Sequence, residues 1–278
     1  MIVCRKRTGA IFGLVVFSLL LVGGPVFSQE NPPRTYRLNM QFLKDLKNDF
    51  VSVWTGPLEW QPRDWTKFAA ALGITGLIYA ADDGLYDWTK TNRSSSGDDF
   101  WKFISKFGEP LILLGVSGGF YIAGEAAGST GMRKTALLSV ESLLISSTML
   151  YALKFAVGRA RPYAEEGKGS FHPFSLESKY HSFPSGHTTA AFSVASVIAH
   201  HNDSVVVDIL SYSMATLVGF ARPFQDKHWA SDVFFGAALG YFVGKKICAC
   251  HTGQPSKSID VGLLLTPYEQ GLTFSFSF

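Results

Sequence analysis

Five long apolar stretches between residues 110 and 247 restrict the fold more than any other feature of the sequence. Each stretch is separated from the next by a segment containing glycine, serine or proline. Stretches of this length and composition are typical of helices, and they predict a single helical bundle. The sequence contains no internal repeat and no clear domain boundary. The five predicted helices cover residues 110–126, 134–158, 186–200, 204–220 and 228–247.

Three further helices are predicted before these stretches. Residues 39–54 place apolar side chains at helical spacing with Lys and Asp between them, which indicates an amphipathic helix that packs on the domain or lies on a membrane surface. Residues 64–81 form the next predicted helix, with Asp64 as its cap, and residues 97–107 form a short surface helix. We therefore divide this part of the chain into two: an N-terminal segment with the amphipathic helix at 29–60, and a helical domain at 61–250.

The N-terminus has the pattern of a secretory signal peptide, predicted at 1–28. Three basic residues at 5–7 precede an apolar stretch at 11–22, and the small residues Val26 and Ser28 follow. We expect cleavage after Ser28, with an uncleaved anchor helix as the alternative. The mature protein is therefore expected to work outside the cytoplasm.

The last residues show a different pattern. Two apolar runs, 259–265 and 272–278, flank a turn at 267–271. In the second run Leu and Phe alternate with Thr and Ser, which is typical of a strand with one apolar face. We therefore predict a short C-terminal β-hairpin at 257–278 attached to an otherwise all-α helical bundle.

The composition excludes several classes of protein. The chain is 47% hydrophobic and 17% charged, and its formal net charge at pH 7 is only +3. A disordered or fibrous chain would differ strongly from this composition. The charge is small and evenly spread, so no basic patch favours nucleic acid as a partner.

Two cysteines follow the predicted signal, in the sequence Cys248-Ala249-Cys250-His251. Because they are only two residues apart, they do not provide a disulfide framework. Three potential ligands within four residues cannot surround a metal ion unless other parts of the chain contribute. We therefore predict a surface turn here and no metal site.

The first group of candidate functional residues is Lys154, Arg161 and Pro162, spaced K-x6-R-P at the end of an apolar helix. Pro162 cannot continue a helix and disfavours helical backbone at Arg161. Lys154 lies about two helical turns before Arg161 on a similar face, so both cations are able to reach one anion. The alternative is a lysine that extends to solvent and an arginine that compensates the helix dipole.

The second group is Pro184-Ser185-Gly186-His187, at the start of the helix predicted at 186–200. Ser185 suits a helix cap, and Gly186 lets the backbone approach a ligand closely. The exposed N–H groups of a helix start are suited to an oxyanion such as phosphate. His187 would then lie beside that anion and could donate a proton to a leaving oxygen. A solvated histidine at a helix start is the alternative.

The third group is Arg222, His228 and Asp232, spaced R-x5-H-x3-D. His228 and Asp232 lie four residues apart on a predicted helix, so they share a face. A carboxylate bonded to one imidazole nitrogen fixes the tautomer and leaves the other nitrogen free as a nucleophile. Taken alone, such a pair is most often a solvent-exposed pair without a catalytic role.

Together the three groups resemble the type-2 phosphatidic acid phosphatase and vanadium haloperoxidase superfamily, in its bacterial envelope phosphatase branch. The pattern of that family is K-x6-R-P, then P-S-G-H, then S-R-x5-H-x3-D, and the resemblance covers about residues 136–246. Ala221 stands where the family usually has Ser, which affects substrate positioning more than chemistry. The matching residues are Lys154, Arg161, Pro162, Pro184, Ser185, Gly186, His187, Arg222, His228 and Asp232.

The resemblance implies a metal-independent phosphatase without a cofactor. His228 would attack phosphorus, oriented by Asp232, and His187 would protonate the departing alcohol and then activate water. Several residues would bind the phosphate oxygens and neutralise the charge of the transferred group. The implied phosphate-binding residues are Lys154, Arg161, Ser185, Gly186 and Arg222.

The substrate would be a phosphorylated lipid or a small phosphate ester, and the sequence does not distinguish between them. The predicted helices are apolar enough to span a membrane, although four charged residues interrupt them: Lys67, Glu141, Lys154 and Asp208. We expect a membrane-associated enzyme of the bacterial cell envelope with its active site facing the periplasm. A soluble periplasmic acid phosphatase and, less favoured, a vanadium-dependent haloperoxidase are the alternatives.

Overall fold

The computed structural model describes residues 36–202, 204–252, 259–265 and 270–276, so the predicted signal peptide lies outside the described residues. Eight α-helices and four short 3-10 turns form most of this part of the chain. The helices are α1 (Met40–Thr55), α2 (Pro62–Thr91), α3 (Ser95–Ser105), α4 (Pro110–Ala126), α5 (Thr130–Val157), α6 (Gly186–His200), α7 (Val205–Phe224) and α8 (Ala230–Thr252).

The predicted all-α class and the eight predicted helices are confirmed. α4 and α6 have the predicted bounds to the residue. Proline occupies the first position of α4, where its missing N–H costs nothing because that group has no partner inside a helix. At α1 the Asn39 side chain accepts a hydrogen bond from the Phe42 N–H, which satisfies one of the unpaired donors of the first turn.

Helix α2 is longer than predicted at its C-terminal end. It begins with a capping box in which Asp64 accepts from the Gln61 N–H at 3.1 Å, so Asp64 is the third helical residue and not the cap. The helix continues through Asp82 and Asp83, past the predicted end at residue 81. Asp82 is buried and paired with a distant arginine, and this tertiary contact explains why the polar pair does not end the helix.

Helix α5 ends at Gly158 and not through Pro162, so the predicted cause of its termination was wrong. Gly158 has a φ of 61°, which is unfavourable for any residue with a Cβ atom. A Cβ atom at this position would also overlap the carbonyl of His172. The Gly158 carbonyl accepts a hydrogen bond from the His172 N–H at 2.7 Å, so the loop after α5 folds back onto the helix end.

Helix α3 contributes to the core, although the sequence predicted a surface helix. Ile104, and Phe107 in the following 3-10 turn, are each only 5% exposed and pack against Ala215 and Val218 of α7. The segment then bends by 56° into α4.

Helix α6 lies at the centre of the bundle and packs against α5, α7 and α8. Its contact with α8 is the most extensive in the protein, and it depends on three glycines of α8 spaced four residues apart. A Cβ atom at Gly236 would lie 2.7 Å from the Ser185 carbonyl oxygen, and one at Gly244 would lie 2.7 Å from that of Ser193. At Gly240 a Cβ atom would overlap the Thr189 carbonyl oxygen. The two helix backbones are therefore in direct contact.

Among the described residues, four helices (α2, α5, α7 and α8) are long and apolar enough to cross a membrane. The bent pair of α3 and α4 makes up to five such segments. In the apolar part of α2 only 6% of the residues are buried, and large apolar side chains such as Leu77 project outward. An exposed apolar surface of this kind is suited to lipid. These features support membrane association.

Two short strands, Ile259–Leu265 and Gln270–Phe276, lie within the predicted tail at 257–278. They pair antiparallel, with Val261 opposite Phe274 and Leu263 opposite Leu272.

The close contact between α6 and α8 predicts a large effect of Gly240→Ala. The added methyl group meets backbone atoms that cannot rotate away, so we expect a loss of about 1–3 kcal/mol in the free energy of unfolding. Gly118→Ala is the matched control, because no atom lies within 4 Å of its added methyl group and alanine favours a helix by roughly 1 kcal/mol over glycine. Thermal unfolding in detergent measures both; equal midpoints for the two variants would contradict the packing argument.

Candidate active site

The start of α6 connects the three groups of candidate residues. The Ser185 N–H donates to the backbone carbonyl of Asp232 at 3.0 Å, which ties the start of α6 to the first turn of α8. A Cβ atom at Gly186 would lie 3.3 Å from Leu150 and 4.0 Å from Lys154 Cε, so α6 begins directly against α5. The Ser185 hydroxyl is buried and shares a hydrogen bond of 2.8 Å with Thr188.

His228 is held in one tautomer. Its Nδ1 lies 2.7 Å from the carbonyl oxygen of Ser182, and because a carbonyl only accepts, Nδ1 carries the proton. The other ring nitrogen, Nε2, therefore keeps its lone pair. The residue is only 3% exposed, so the surrounding protein fixes the ring as well as the tautomer.

Asp232 does not hold His228 in the manner that the sequence predicted. Its Oδ2 lies 3.9 Å from Nδ1, which is too far for a hydrogen bond. Instead Oδ2 accepts from the Ser182 hydroxyl at 2.5 Å and from the Trp229 N–H at 2.9 Å. Asp232 thus acts on His228 through Ser182, whose hydroxyl it binds and whose carbonyl binds the imidazole.

Lys154 extends from the last turns of α5 into the loop before α6. Its ammonium donates to the carbonyls of His181 and Pro184, each at 2.6 Å, and the side chain is almost completely buried. These bonds fix the loop that carries Ser182 and leads to His187. The Phe183–Pro184 peptide bond in this loop is cis.

Two arginines have buried N–H groups without a hydrogen-bond partner. Arg222 donates through Nη1 to Ser105 and to Gln225, but its Nε has no acceptor. The Nε of Arg161 also lacks an acceptor, and its guanidinium lies 5.9 Å from the ring centre of Tyr163. Buried guanidinium donors usually have partners, so these atoms are available to an anionic ligand.

His187 stands among these cations and responds to them. Burial, followed by the charges of Arg222, Arg161 and Lys154, lowers the pKa of His187 to about 3. Burial and the same three cations lower the pKa of His228 well below its usual value. Without a bound anion, both imidazoles are therefore neutral near neutral pH. The excess of positive charge fits an anion, which would neutralise the cations and raise both pKa values.

The structure thus brings all eight predicted site residues together. The ring of His181 is directed elsewhere, since its Nε2 contacts the Ser175 carbonyl at 2.9 Å, and only its backbone carbonyl takes part, through Lys154. His172 contacts Glu166 at 3.0 Å and packs on Tyr180.

Sequence reasoning missed Arg159, which is the largest fully buried side chain in the described part of the chain. It donates to Asp232 at 2.6 Å and to Ser231 at 2.8 Å through Nη1, and to Asp82 at 2.9 Å through Nη2. Asp82 in turn accepts from the Ser231 N–H at 3.0 Å. This network links α2 to the start of α8. The signal in the sequence was an additional arginine two positions before Arg161.

Within the described residues, three side chains are placed to surround a metal ion, and they lie away from the candidate site: Asp49, Glu141 and His251.

The comparisons with known proteins agree with this geometry. Residues 135–255 match the model of the PAP2 superfamily, a range that includes every predicted site residue. Residues 135–255 therefore form a PAP2 superfamily domain, and the resemblance drawn from the three motifs within this range is confirmed.

Curated relatives are named lipid A 1-phosphatases. The protein from Rhizobium etli is 28% identical over 201 residues, which cover 66% of this chain and 82% of that relative. The protein from Porphyromonas gingivalis is 34% identical over 99 residues, which cover 35% of this chain. The match spans about a fifth of that longer relative, 19% of its length.

Two solved structures share the fold. Aquifex aeolicus LpxE has a TM-score of 0.50 at 20% identity and covers 60% of this chain and 94% of its own. The transmembrane PAP2 type phosphatidylglycerolphosphate phosphatase of Bacillus subtilis has a TM-score of 0.53 at 21% identity. The match covers 69% of this chain and 98% of the Bacillus chain.

The Arg159 network predicts a stability effect. Arg159→Met leaves Asp82 and Asp232 buried without their cation, so we expect a loss of roughly 3–5 kcal/mol in the free energy of unfolding. Asp83→Asn is the control, because its ion pair with Lys168 is largely exposed and such pairs contribute about 0–1 kcal/mol. Denaturant unfolding followed by tryptophan fluorescence compares them. If Arg159→Met were no less stable than Asp83→Asn, the network would not have the proposed importance.

The lowered pKa of His187 predicts proton uptake when an anion binds. Sulfate carries no titratable proton near neutral pH, so any uptake comes from the protein. Bound sulfate offsets the charges of the three cations and so raises the pKa of His187 from about 3, while the effect of burial remains. At pH 5 we expect uptake of up to about one proton per site, measured by calorimetry in buffers of different ionisation enthalpy. His187→Asn should take up fewer protons, and sulfate binding without uptake by the unaltered protein would contradict the assignment.

Proposed function

We propose that the protein is a metal-independent phosphatase that hydrolyses phosphate esters of lipids through a phosphohistidine on His228. The observation that carries this proposal is the bond between His228 Nδ1 and the Ser182 carbonyl, which leaves the basic Nε2 free among three cations. A neutral imidazole in this tautomer is a competent nucleophile towards phosphorus.

The cations would bind and activate the phosphate. Arg161 and Arg222 contribute guanidinium groups with unpaired buried N–H donors, and Lys154 contributes a buried ammonium. The N–H groups at the start of α6 add donors for the phosphate oxygens. In many phosphoryl-transfer sites, divalent ions provide the positive charge that these side chains would provide here.

In the first step, Nε2 of His228 attacks phosphorus and forms an N–P bond while the bond from phosphorus to the ester oxygen breaks. The leaving oxygen takes a proton from His187. His187 must be protonated for this step, and its low pKa in the empty site makes the bound phosphate necessary for protonation. The acid would therefore form when the substrate is present.

In the second step, neutral His187 accepts a proton from water as the water oxygen attacks phosphorus. The N–P bond breaks, inorganic phosphate leaves, and His228 returns to its neutral form. His187 is protonated again and loses that proton once phosphate has departed. Asp232 positions His228 through Ser182, and Arg159 fixes Asp232.

We further propose that the enzyme resides in the bacterial cell envelope with the site facing the periplasm. The predicted secretory signal and the apolar helices support this location. The curated relatives make lipid A the first substrate to assay. The apolar outer surface of α2, whose inner face carries Asp82, supports a lipid over a soluble ester.

Phosphate release by the full chain in detergent, with EDTA present, tests the proposal. We compare lipid A, phosphatidate and p-nitrophenyl phosphate as substrates. We expect release that resists EDTA and favours a lipid. His228→Ala should reduce kcat by about four orders of magnitude or more, because it removes the nucleophile. His172→Gln is the matched control and should retain activity, since His172 is bonded to Glu166 outside the site.

A second measurement distinguishes the mechanism from general base catalysis. The N–P bond of phosphohistidine is stable in alkali and labile in acid. Quenching in alkaline SDS during turnover of a ³²P-labelled substrate, followed by electrophoresis at alkaline pH, should therefore recover label on the protein, and His228→Ala should carry none. Activity that survives in His228→Ala would refute the proposed site. If p-nitrophenyl phosphate were hydrolysed faster than every lipid, the proposed mechanism would still hold, but the protein would be a non-specific acid phosphatase and not a lipid phosphatase.

A further inference from the structure

Asp49, Glu141 and His251 form a second cluster of functional groups, which lies away from the phosphatase site. They come from α1, α5 and α8, and one ligand atom from each lies within 4.8 Å of the others. Glu141 precedes Lys154 by 13 residues on α5, which corresponds to about 20 Å along the helix axis. The cluster is therefore near the opposite end of the bundle.

The Glu141 carboxylate is fully buried and lacks a hydrogen-bond partner on either oxygen. Nε2 of His251 contacts Asp49 at 2.8 Å, and its distance of 3.6 Å from Glu141 is too long for a hydrogen bond. A proton on Nε2 of His251 therefore forms a hydrogen bond with Asp49 and leaves Glu141 without one. A buried ionised carboxylate without a partner is strongly unfavourable, so either a proton on Glu141 or a bound cation would stabilise the cluster.

The spacing of the three atoms fits a metal ion. Ligand atoms around a tetrahedral zinc ion lie roughly 3.3 Å apart, given bonds of about 2.0–2.1 Å. The separations of 2.8 and 3.6 Å from Nε2 of His251 lie on either side of this value. An imidazole nitrogen with two carboxylates is a ligand set for a divalent transition metal and not for calcium or magnesium, which prefer oxygen alone.

We propose that Asp49, Glu141 and His251 bind one divalent transition-metal ion of the zinc class, which joins α1 to α5 and α8. The predicted surface turn at residues 248–251 was wrong, because these residues lie inside α8 and both Cys248 and His251 are buried. The sequence predicted no metal site here because the other two ligands are distant in the chain. The ion would stabilise the bundle and take no part in phosphate transfer. Neither Cys248 nor Cys250 belongs to the group of three; Cys248 is buried with its sulfur 3.9 Å from His201 Nδ1.

Zinc binding by the full chain in detergent tests this proposal. The protein is treated with EDTA, freed of chelator by gel filtration and titrated with Zn²⁺ against a chromophoric competitor. We expect one tightly bound zinc per chain and a higher midpoint of thermal unfolding when zinc is present. Asp49→Asn and Glu141→Gln keep the side-chain shape and should weaken binding at least about tenfold.

Asp45→Asn is the matched control, because Asp45 lies one turn earlier on α1, bonds to Gln41 and has no contact with the cluster. It should bind zinc as the unaltered protein does. Retained phosphate release in the Asp49 and Glu141 variants establishes that they fold. Normal zinc binding by His228→Ala would show that the metal site is independent of the proposed phosphatase site. Failure of the unaltered protein to bind zinc more tightly than folded Glu141→Gln would overturn the proposal.

Discussion

The close packing of α6 against α8 is the contact on which the rest of the structure depends. Gly236, Gly240 and Gly244 leave no α8 side chain at these points of the contact, so the backbone of α8 meets the carbonyl oxygens of α6. This approach places the Ser185 N–H on the Asp232 carbonyl and brings the loop before α6 beside the first turn of α8. The tautomer of His228 is then fixed by a loop carbonyl, which would be out of reach if the helices were one methyl group further apart.

The electrostatics of the site follow from which charges are already paired. The carboxylate of Asp232 faces Arg159, and Asp82 binds the other side of the same guanidinium. Lys154, Arg161 and Arg222 are left without a carboxylate partner among the described residues, and each lowers the pKa of His187. A site that neutralised its own cations would bind phosphate weakly. Here the buried carboxylates of Asp82 and Asp232 are both paired with Arg159, and the positive charge of the other cations remains for a ligand.

The residues predicted from the sequence as site candidates all converge, because each motif lies at a helix end where local chemistry determines the backbone. Other features depend on contacts across the chain and had no local signal. Asp82 reaches Arg159 over 77 residues, and this contact lets α2 continue beyond its predicted end. Asp232 was correctly placed beside His228, but Ser182 as the intermediary depends on a loop whose path the sequence does not specify.

The hydrogen bonds of Lys154 fix the direction of its remaining N–H donor. An ammonium has three N–H donors in tetrahedral arrangement, and two of them are used by the carbonyls of His181 and Pro184. One donor is left, and its direction is fixed by the other two. Lys154 therefore presents a single hydrogen bond at a defined angle as well as a diffuse charge. An arginine has the same charge but a planar fork of donors, so it could not hold both carbonyls and keep this direction.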